Sequence, residues 1–374
     1  MKKFNLFIYA IILIMVFSSS CNSQPIRLFT GKYTEAGEKG LYLFDLNREE
    51  GTFKIVSESD AGPNPSYFCI SRKNELIYAA NEVMNFKGIR GGGVTTLRYD
   101  AKTGGIEKVN ELTVPNGGPC FISLSPNDDF LFMANYSGGS IAVVKLDDKG
   151  MPISITDTIL YEGEEGKDSH AHMISSDPAG KNVYVTDLGL DRIVIYNFDP
   201  VSGLLQQIPN GIVKLPKGAG PRHFVFSSDG TKMYVINELN STISVFNVET
   251  NGELKSIQTV TTLTEGFKGE SFCADIHIGE NGDFLYGSNR GENTIVTFRI
   301  GSDGILTLAG HTSCEGDWPR NFVIDPSGKY ILVGNQRSGN ISLFRIDENT
   351  GIPIEPGKDY KITAPACLKF SDNK

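Results

Sequence analysis

Apolar and polar residues alternate along most of this chain in short runs, broken by Gly, Asp and Asn clusters, and the pattern recurs with a long period. Six stretches follow one scheme. Each opens near a Pro, alternates, turns, and runs apolar again to a small polar residue before a closing β-rich segment. The apolar runs end at Asn81, Asn135, Asp187, Asn237, Asn289 and Asn335, spaced 54, 52, 50, 52 and 46 residues apart. The stretches "RHFVFSSDGTKMYVINELNSTISVF" (222–246) and "RNFVIDPSGKYILVGNQRSGNISLF" (320–344) show the kinship directly. Val, Ile, Phe and Tyr at alternate positions, with Ser-Asp-Gly or Pro-Ser-Gly turns between them, predict several short antiparallel strands per unit. Such units repeated around a ring are blades of an all-β propeller.

A seventh unit is divided between the two ends. Residues 26–46 contain only later strands of the scheme ("IRLFTG…GLYLFDL"), and the tail "APACLKFSDN" (364–373) resembles the opening strand "NPSYFCISRKN" (64–74). The expected fold is therefore a seven-bladed β-propeller whose C-terminal strand completes the N-terminal blade, so that the seam has no open sheet edge. An open solenoid would need polar caps at both ends, and the matching tail argues against it. Length alone would suggest two domains. With no linker or composition shift after residue 25, a single domain over 22–374 is expected.

The first residues have a different character. Lys2 and Lys3 precede an apolar run from Leu6 to Phe17, then Ser18, Ser19, Ser20 and Cys21. This is the pattern of an export signal, too short to span a bilayer. A Cys after small residues resembles a bacterial lipoprotein signal, although Ser18 stands where a Leu-like residue is usual. Residues 1–21 are thus expected to be removed or lipidated at Cys21. The mature protein would lie in the cell envelope or periplasm, anchored by lipid. The chain's formal charge of −9 becomes −11 without the two lysines, which argues against nucleic acid as a partner. Cys69, Cys120, Cys273, Cys314 and Cys367 show no zinc-type spacing and are expected to be small core residues. No metal or other cofactor is expected, and a closed propeller can serve as a monomer.

Equivalent positions in a ring of blades form layers, so columns of the repeat can be compared. Fifteen residues before each terminal amide stand Ser66, Cys120, His172, Arg222, Ala274 and Arg320, with Ala366 in the tail. The next column holds Tyr67, Phe121, Met173, His223, Asp275, Asn321 and Cys367; the one after the amide holds Lys32, Glu82, Tyr136, Leu188, Glu238, Arg290 and Gln336. Structural layers agree between blades, whereas these scatter charge. They are expected to converge at one mouth of the central channel. Arg222 and Glu238 belong to one unit and are expected to face each other there. The recurring amide is expected to cap a turn, with Asn289 and Asn335 also candidates for touching a ligand. His170 and His172 share a strand face but lack a third metal ligand. His277 is expected to be a satisfied core histidine, His311 a surface residue, and Glu162–Asp168 a solvated loop.

The segments "GPRHFVF" (220–226), "YVINELNSTISVF" (234–246), "ADIHI" (274–278), "LYGSNRGENTI" (285–295) and "WPRNFVIDPSGKYILVGNQRSGNI" (318–341) resemble the seven-bladed propeller lactonases typified by bacterial 6-phosphogluconolactonase. The resemblance extends over essentially all of 26–370 and implies hydrolysis of a sugar lactone. A carboxymuconate cycloisomerase shares the scaffold, and its branch uses a His, two Arg and a Glu. Those positions correspond to His172, Arg222, Glu238 and Arg290, the expected catalytic set. Glu82, His223, Asp275, Asn289, Arg320 and Asn335 are expected to bind or orient the substrate. Lactone hydrolysis needs a base for water and donors for the oxyanion, and these residue types supply both. The export signal sits awkwardly with a phosphorylated substrate. Alternatives are a non-catalytic envelope binding propeller, or a cycloisomerase acting on carboxylated lactones.

Overall fold

The computed structural model describes residues 26–371 except 36, 72 and 358; the export signal and Cys21 lie outside the described residues. Seven antiparallel sheets form the blades. Six are sequential, and the seventh runs Thr52–Ser59, Leu41–Asn47, Ile26–Lys32, Pro365–Phe370. The C-terminal strand pairs with the first described strand, from Leu28 opposite Phe370 to Lys32 opposite Pro365. Closure is as the divided seventh unit predicted.

Position in the blade decides the burial pattern. The second strands are buried almost throughout, Leu76–Asn81 and Phe130–Asn135 at every residue, because neighbouring blades cover both faces. Outer strands such as Leu254–Thr261 meet solvent on one face and are mostly exposed. The turns between first and second strands repeat one chemistry. Asp325 Oδ1 accepts from the amides of Lys329 and Tyr330, and Asp177 and Ser125 hold the same two positions in their blades.

A second recurring device joins blades. The hydroxyls of Tyr78, Tyr184, Tyr234 and Tyr286 donate to the carbonyls of Gly150, Gly252, Gly304 and Gly351, each in the following blade. These tyrosines are essentially buried, so removing one hydroxyl leaves a carbonyl unsatisfied. Tyr234→Phe is expected to lower the unfolding free energy by about 1–2 kcal/mol, read from the urea midpoint. An unchanged midpoint would show that the staple contributes nothing.

The innermost strands are Pro65–Ser71, Pro119–Leu124, Ala171–Ser176, Pro221–Phe226, Phe272–Ile278, Pro319–Ile324 and Pro365–Phe370, and neighbouring ones pack against each other around the axis. Their ladders are interrupted at equivalent places. Pro221 pairs with Asn237 and His223 with Ile236, which leaves Arg222 out of register; the same slip leaves out Ser66, Cys120, His172 and Arg320. A bulge bends the strand and re-aims the extra side chain. The first charge-scattering column of the repeat is therefore the bulge column.

Candidate active site

The bulges and the residues that follow the second strands bring the scattered charges together. Glu238 stands between two arginines: its Oε2 lies 3.0 Å from Arg222 Nε and 2.8 Å from Arg290 Nη2. The Arg222 contact is an ion pair whose N–H is not aimed at the oxygen, whereas Arg290 Nη2 also hydrogen-bonds the Cys273 carbonyl at 2.9 Å. Both guanidiniums are tied down elsewhere. Arg222 Nη1 donates to the Ala274 carbonyl at 2.6 Å, and Arg290 Nε to that of Phe272 at 3.2 Å. Among the described contacts, Arg222 Nη2, Arg290 Nη1 and Glu238 Oε1 remain without partners. The site is thus rigidly held but keeps two donors and an acceptor for a ligand.

Charge states follow from burial and neighbours. Burial would raise the Glu238 pKa, but Arg290, Arg222 and Arg320 outweigh it and hold the carboxyl below its ordinary value. Burial, together with Arg222 and Arg320, pushes Arg290 down to about 10 against the pull of Glu238, so it is still charged at neutral pH. His172 is 4 % exposed, and burial followed by Arg222, His223, Arg320 and Arg290 keeps it well below the usual histidine range. It is neutral, and its buried Nδ1 has no hydrogen-bond partner. An unsatisfied buried nitrogen at a site of this kind invites a ligand.

Beneath this basin lies a second layer. His223 Nδ1 is 2.8 Å from Asp275 Oδ1, and His277 Nε2 is 3.0 Å from Asp275 Oδ2. Asn321 also donates to Asp275 Oδ2, and its own Oδ1 accepts from the Leu368 amide of the closing strand. Burial opposes ionisation of Asp275, but His277 and His223 hold it well below the ordinary carboxylate value. Burial and then Arg222 lower His223 to about 4. A neutral His223 donating from Nδ1 turns the Nε2 lone pair toward Arg222 Nη1, 3.3 Å away. Tyr67 and Phe121 stack at 4.3 Å and place their rings edge-on to His223.

Glu82 is held by the hydroxyls of Tyr33 at 2.7 Å and Ser66 at 2.5 Å. Arg320 lies over the Tyr33 ring, 5.2 Å from its centre. His172, Arg222, Glu238, Arg290, Arg320, His223, Asp275 and Glu82 therefore form one connected constellation. Asn289 and Asn335 do not join it through any described contact. The Asn289 amide donates to Thr262, Glu292 and Thr294, and that of Asn335 to Cys314 and Ser342. His170 stacks on Tyr136 and bonds its carbonyl, turned away from a shared metal with His172. His277 departs from the expected core residue, with its side chain 34 % exposed. His311 is half-buried against the Thr262 carbonyl, and Glu164 of the acidic loop pairs with Arg192 and Lys214.

Three residues of the mouth were not singled out by the sequence, and a fourth, Asn321, had a column but no role. Tyr33 follows Lys32 of the third column; Asn321 stood in the second. Trp318, the one tryptophan, immediately precedes the Pro-Arg-Asn bulge, and Arg337 lies one place beyond the third column. Their signal was adjacency to scattered columns.

The sequence matches the family described as "Lactonase, 7-bladed beta-propeller" over residues 27–370. It is 34% identical over 336 residues to a 6-phosphogluconolactonase of Formosa agariphila, covering 87% of this chain and 93% of that one. With the 6-phosphogluconolactonase of Bacillus subtilis it shares 30% identity over 351 residues, 91% and 97% of the two chains. The solved periplasmic gluconolactonase of Pseudomonas aeruginosa superposes with a TM-score of 0.86 at 29% identity, covering 92% of this chain and 98% of that one. Family match, shared fold and full-length coverage agree: the chain belongs to the seven-bladed β-propeller lactonases.

Proposed function

We propose that this protein is a hydrolase that opens a sugar lactone at the Arg222–Glu238–Arg290 mouth. The observation that carries the reading is one carboxylate held between two immobilised arginines, each with an unused donor, beside a neutral histidine with an unpartnered nitrogen. Glu238 Oε1 takes a proton from water as the oxygen attacks the lactone carbonyl. Arg222 Nη2 and Arg290 Nη1 donate to the oxyanion that forms. When the ring C–O bond breaks, Glu238 returns its proton to the departing alkoxide. The acid product then ionises, releasing one proton to solvent.

A carboxylate with a lowered pKa is a weak base. Negative charge arriving on the carbonyl oxygen offsets the arginines and raises the Glu238 pKa as the reaction proceeds. His172, neutral and deep in the mouth, hydrogen-bonds the substrate. His223 positions Arg222, and Glu82 positions Tyr33 beneath Arg320. Asn289 and Asn335 support the wall.

The relatives from Formosa and Bacillus are named for a phosphorylated lactone, and the Pseudomonas neighbour for an unphosphorylated one in the periplasm. That neighbour and the N-terminal pattern support an exported protein, with lipid on Cys21 as the finer proposal. A Cys21→Ser change in the native host is then expected to release the protein from membranes. The test of the activity is proton release from 6-phosphogluconolactone and gluconolactone, compared with the spontaneous rate. Arg222→Met is expected to lower turnover by about a hundredfold, the lower edge of what one oxyanion donor contributes. No acceleration of either lactone by the native protein would favour a binding propeller instead.

A further inference from the structure

Asp275 is shared by two histidines that stand at different depths in the ring. Its Oδ1 accepts from His223 Nδ1, and its Oδ2 from His277 Nε2. The strand that carries Asp275 and His277, Phe272–Ile278, starts at the mouth, where the carbonyls of Phe272, Cys273 and Ala274 hold Arg290 and Arg222. It runs away from there, so His277 lies near its far end, roughly 10 Å beyond Ala274 at about 3.3 Å per residue. Burial divides the network in the same sense. Arg222, His223, Asp275 and Asn321 are 2–4 % exposed, whereas 34 % of the His277 side chain meets solvent. His277 therefore exchanges its proton with water on the face opposite the mouth, without passing the substrate.

Among the described contacts, Asp275 is the one carboxylate that touches His277. Phe322 of the following blade packs edge-on to the imidazole at 4.8 Å. On that same inner strand Arg320 lies at the mouth over Tyr33, and Asp325, just past the strand's end, pairs with Arg48. Tyr286, opposite His277 in its own blade, donates to the Gly351 carbonyl; Tyr234 of the preceding blade donates to that of Gly304, and Lys232 lies along Gly304. The preceding inner strand supplies Arg222 and His223, and Lys369 of the closing strand acts on Asp275 at longer range. Competition for Asp275 then decides the state of His223. Burial and then Arg222 bring it to about 4 against the pull of Asp275, and His277 adds to the push. With a charged His277 on Oδ2, His223 stays neutral, donates from Nδ1 and offers Nε2 to Arg222 Nη1, 3.3 Å away. A protonated His223 would instead set an N–H against a guanidinium that has only donors, and push Arg222 away from its place beside Glu238.

We infer that His277 is a positioning residue of the mouth: by occupying the second oxygen of Asp275 from the opposite face, it keeps His223 as the neutral acceptor that holds Arg222. It touches neither the substrate nor the reacting atoms. Its part in turnover rests on the lactonase reading; the competition of two histidines for Asp275 does not.

Two variants of the full chain separate charge from packing. His277→Gln can still donate to Asp275 but carries no charge, whereas His277→Lys donates and is charged throughout the range. NMR of protein labelled with nitrogen-15 histidine follows the His223 ring through an acid titration. In His277→Gln its midpoint is expected to rise from about 4 by about one pH unit, the scale of two charges roughly 8 Å apart at an effective dielectric constant of about 20 with some screening. In His277→Lys it is expected to stay within about 0.3 of the native midpoint. The acid limb of kcat/KM for gluconolactone and 6-phosphogluconolactone is expected to move up with the midpoint in His277→Gln and to stay in place in His277→Lys, circular dichroism showing each protein folded across the range. A packing role would lower kcat/KM by one factor at every pH and leave the limb where it is. An unmoved His223 midpoint in His277→Gln would overturn the inference, as would a Lys variant that titrates like the Gln one. A moved midpoint with a stationary limb would overturn the positioning role. A moved midpoint in a protein that opens neither lactone would retain the competition for Asp275 and discard the lactonase reading.

Discussion

Glu238→Gln is expected to lower kcat/KM for lactone hydrolysis by about a hundredfold or more, the range of a positioned general base. Glutamine keeps an oxygen that can accept from Arg222 and Arg290, so the walls of the mouth stay in place while the basic electron pair is lost. The pH profile of the native protein checks the same assignment from another side. The limb of kcat/KM reports the free enzyme, where the arginines outweigh burial and hold Glu238 below its ordinary value. Activity is therefore expected to persist to pH values below about 4.3, the usual glutamate midpoint. The sign for stability runs the same way. The folded pKa is depressed, so the stabilisation is present above the unfolded value and lost as pH falls through the folded one. A Gln variant that keeps more than a tenth of native activity would remove Glu238 from the chemistry and leave His172 as the base.

The largest stability effect is expected at Asp275. It is 2 % exposed and ionised, and accepts from His223, His277, Asn321 and the Ile276 amide. Asp275→Ala leaves His223, Asn321 and the Ile276 amide buried without this acceptor, and a loss of about 3–5 kcal/mol is expected from urea unfolding. Function is expected to fail for a separate reason. His223 no longer has Asp275 to hold its proton on Nδ1, so Arg222 loses the lone pair that fixes it. Asp275→Asn, with one oxygen still able to accept from His223, is expected to recover much of the stability and part of the activity. Equal stability of the native and Ala proteins would mean that the buried network is not held together by this carboxylate. The network also sets an acid limit. His223 titrates at about 4 when folded and near 6.5 when unfolded, so below about 6.5 the unfolded chain takes up the proton first. Thermal stability is expected to decline progressively from pH 6.5 towards 4.

Comparing blades, rather than inspecting any one residue, is what made the site legible. Arg222 and Glu238 were expected to face each other because they belong to one unit on adjoining strands, and they lie 3.0 Å apart. His172, His223 and Arg290 emerged in the same way, as charged or polar residues in columns where a purely structural layer would repeat. Residues one or two places outside those columns were missed. Trp318 and Tyr33 look like ordinary aromatics until their rings are seen beneath guanidiniums. His277 sits in an apolar alternation two residues after Asp275 on the same strand face, and it bonds that carboxylate at 3.0 Å. Asn289 and Asn335 stand at regular positions, and hydrogen bonds within their own blades and to the end of the preceding one engage their amides.

The number of blades, their order and the closure of the ring are properties of this sequence by itself. Strand alternation, turn residues and repeat spacing are local and periodic, and a divided unit with complementary halves can satisfy its edges in only one way. Which charges share a proton, which arginines are neutralised and which stay free was decided by tertiary structure. These depend on distances of about 3 Å between side chains such as Arg222 and Glu238 or Arg290 and Glu238, which belong to different strands and blades, on the slip of one residue at the inner bulges, and on burial that changes what a charge costs.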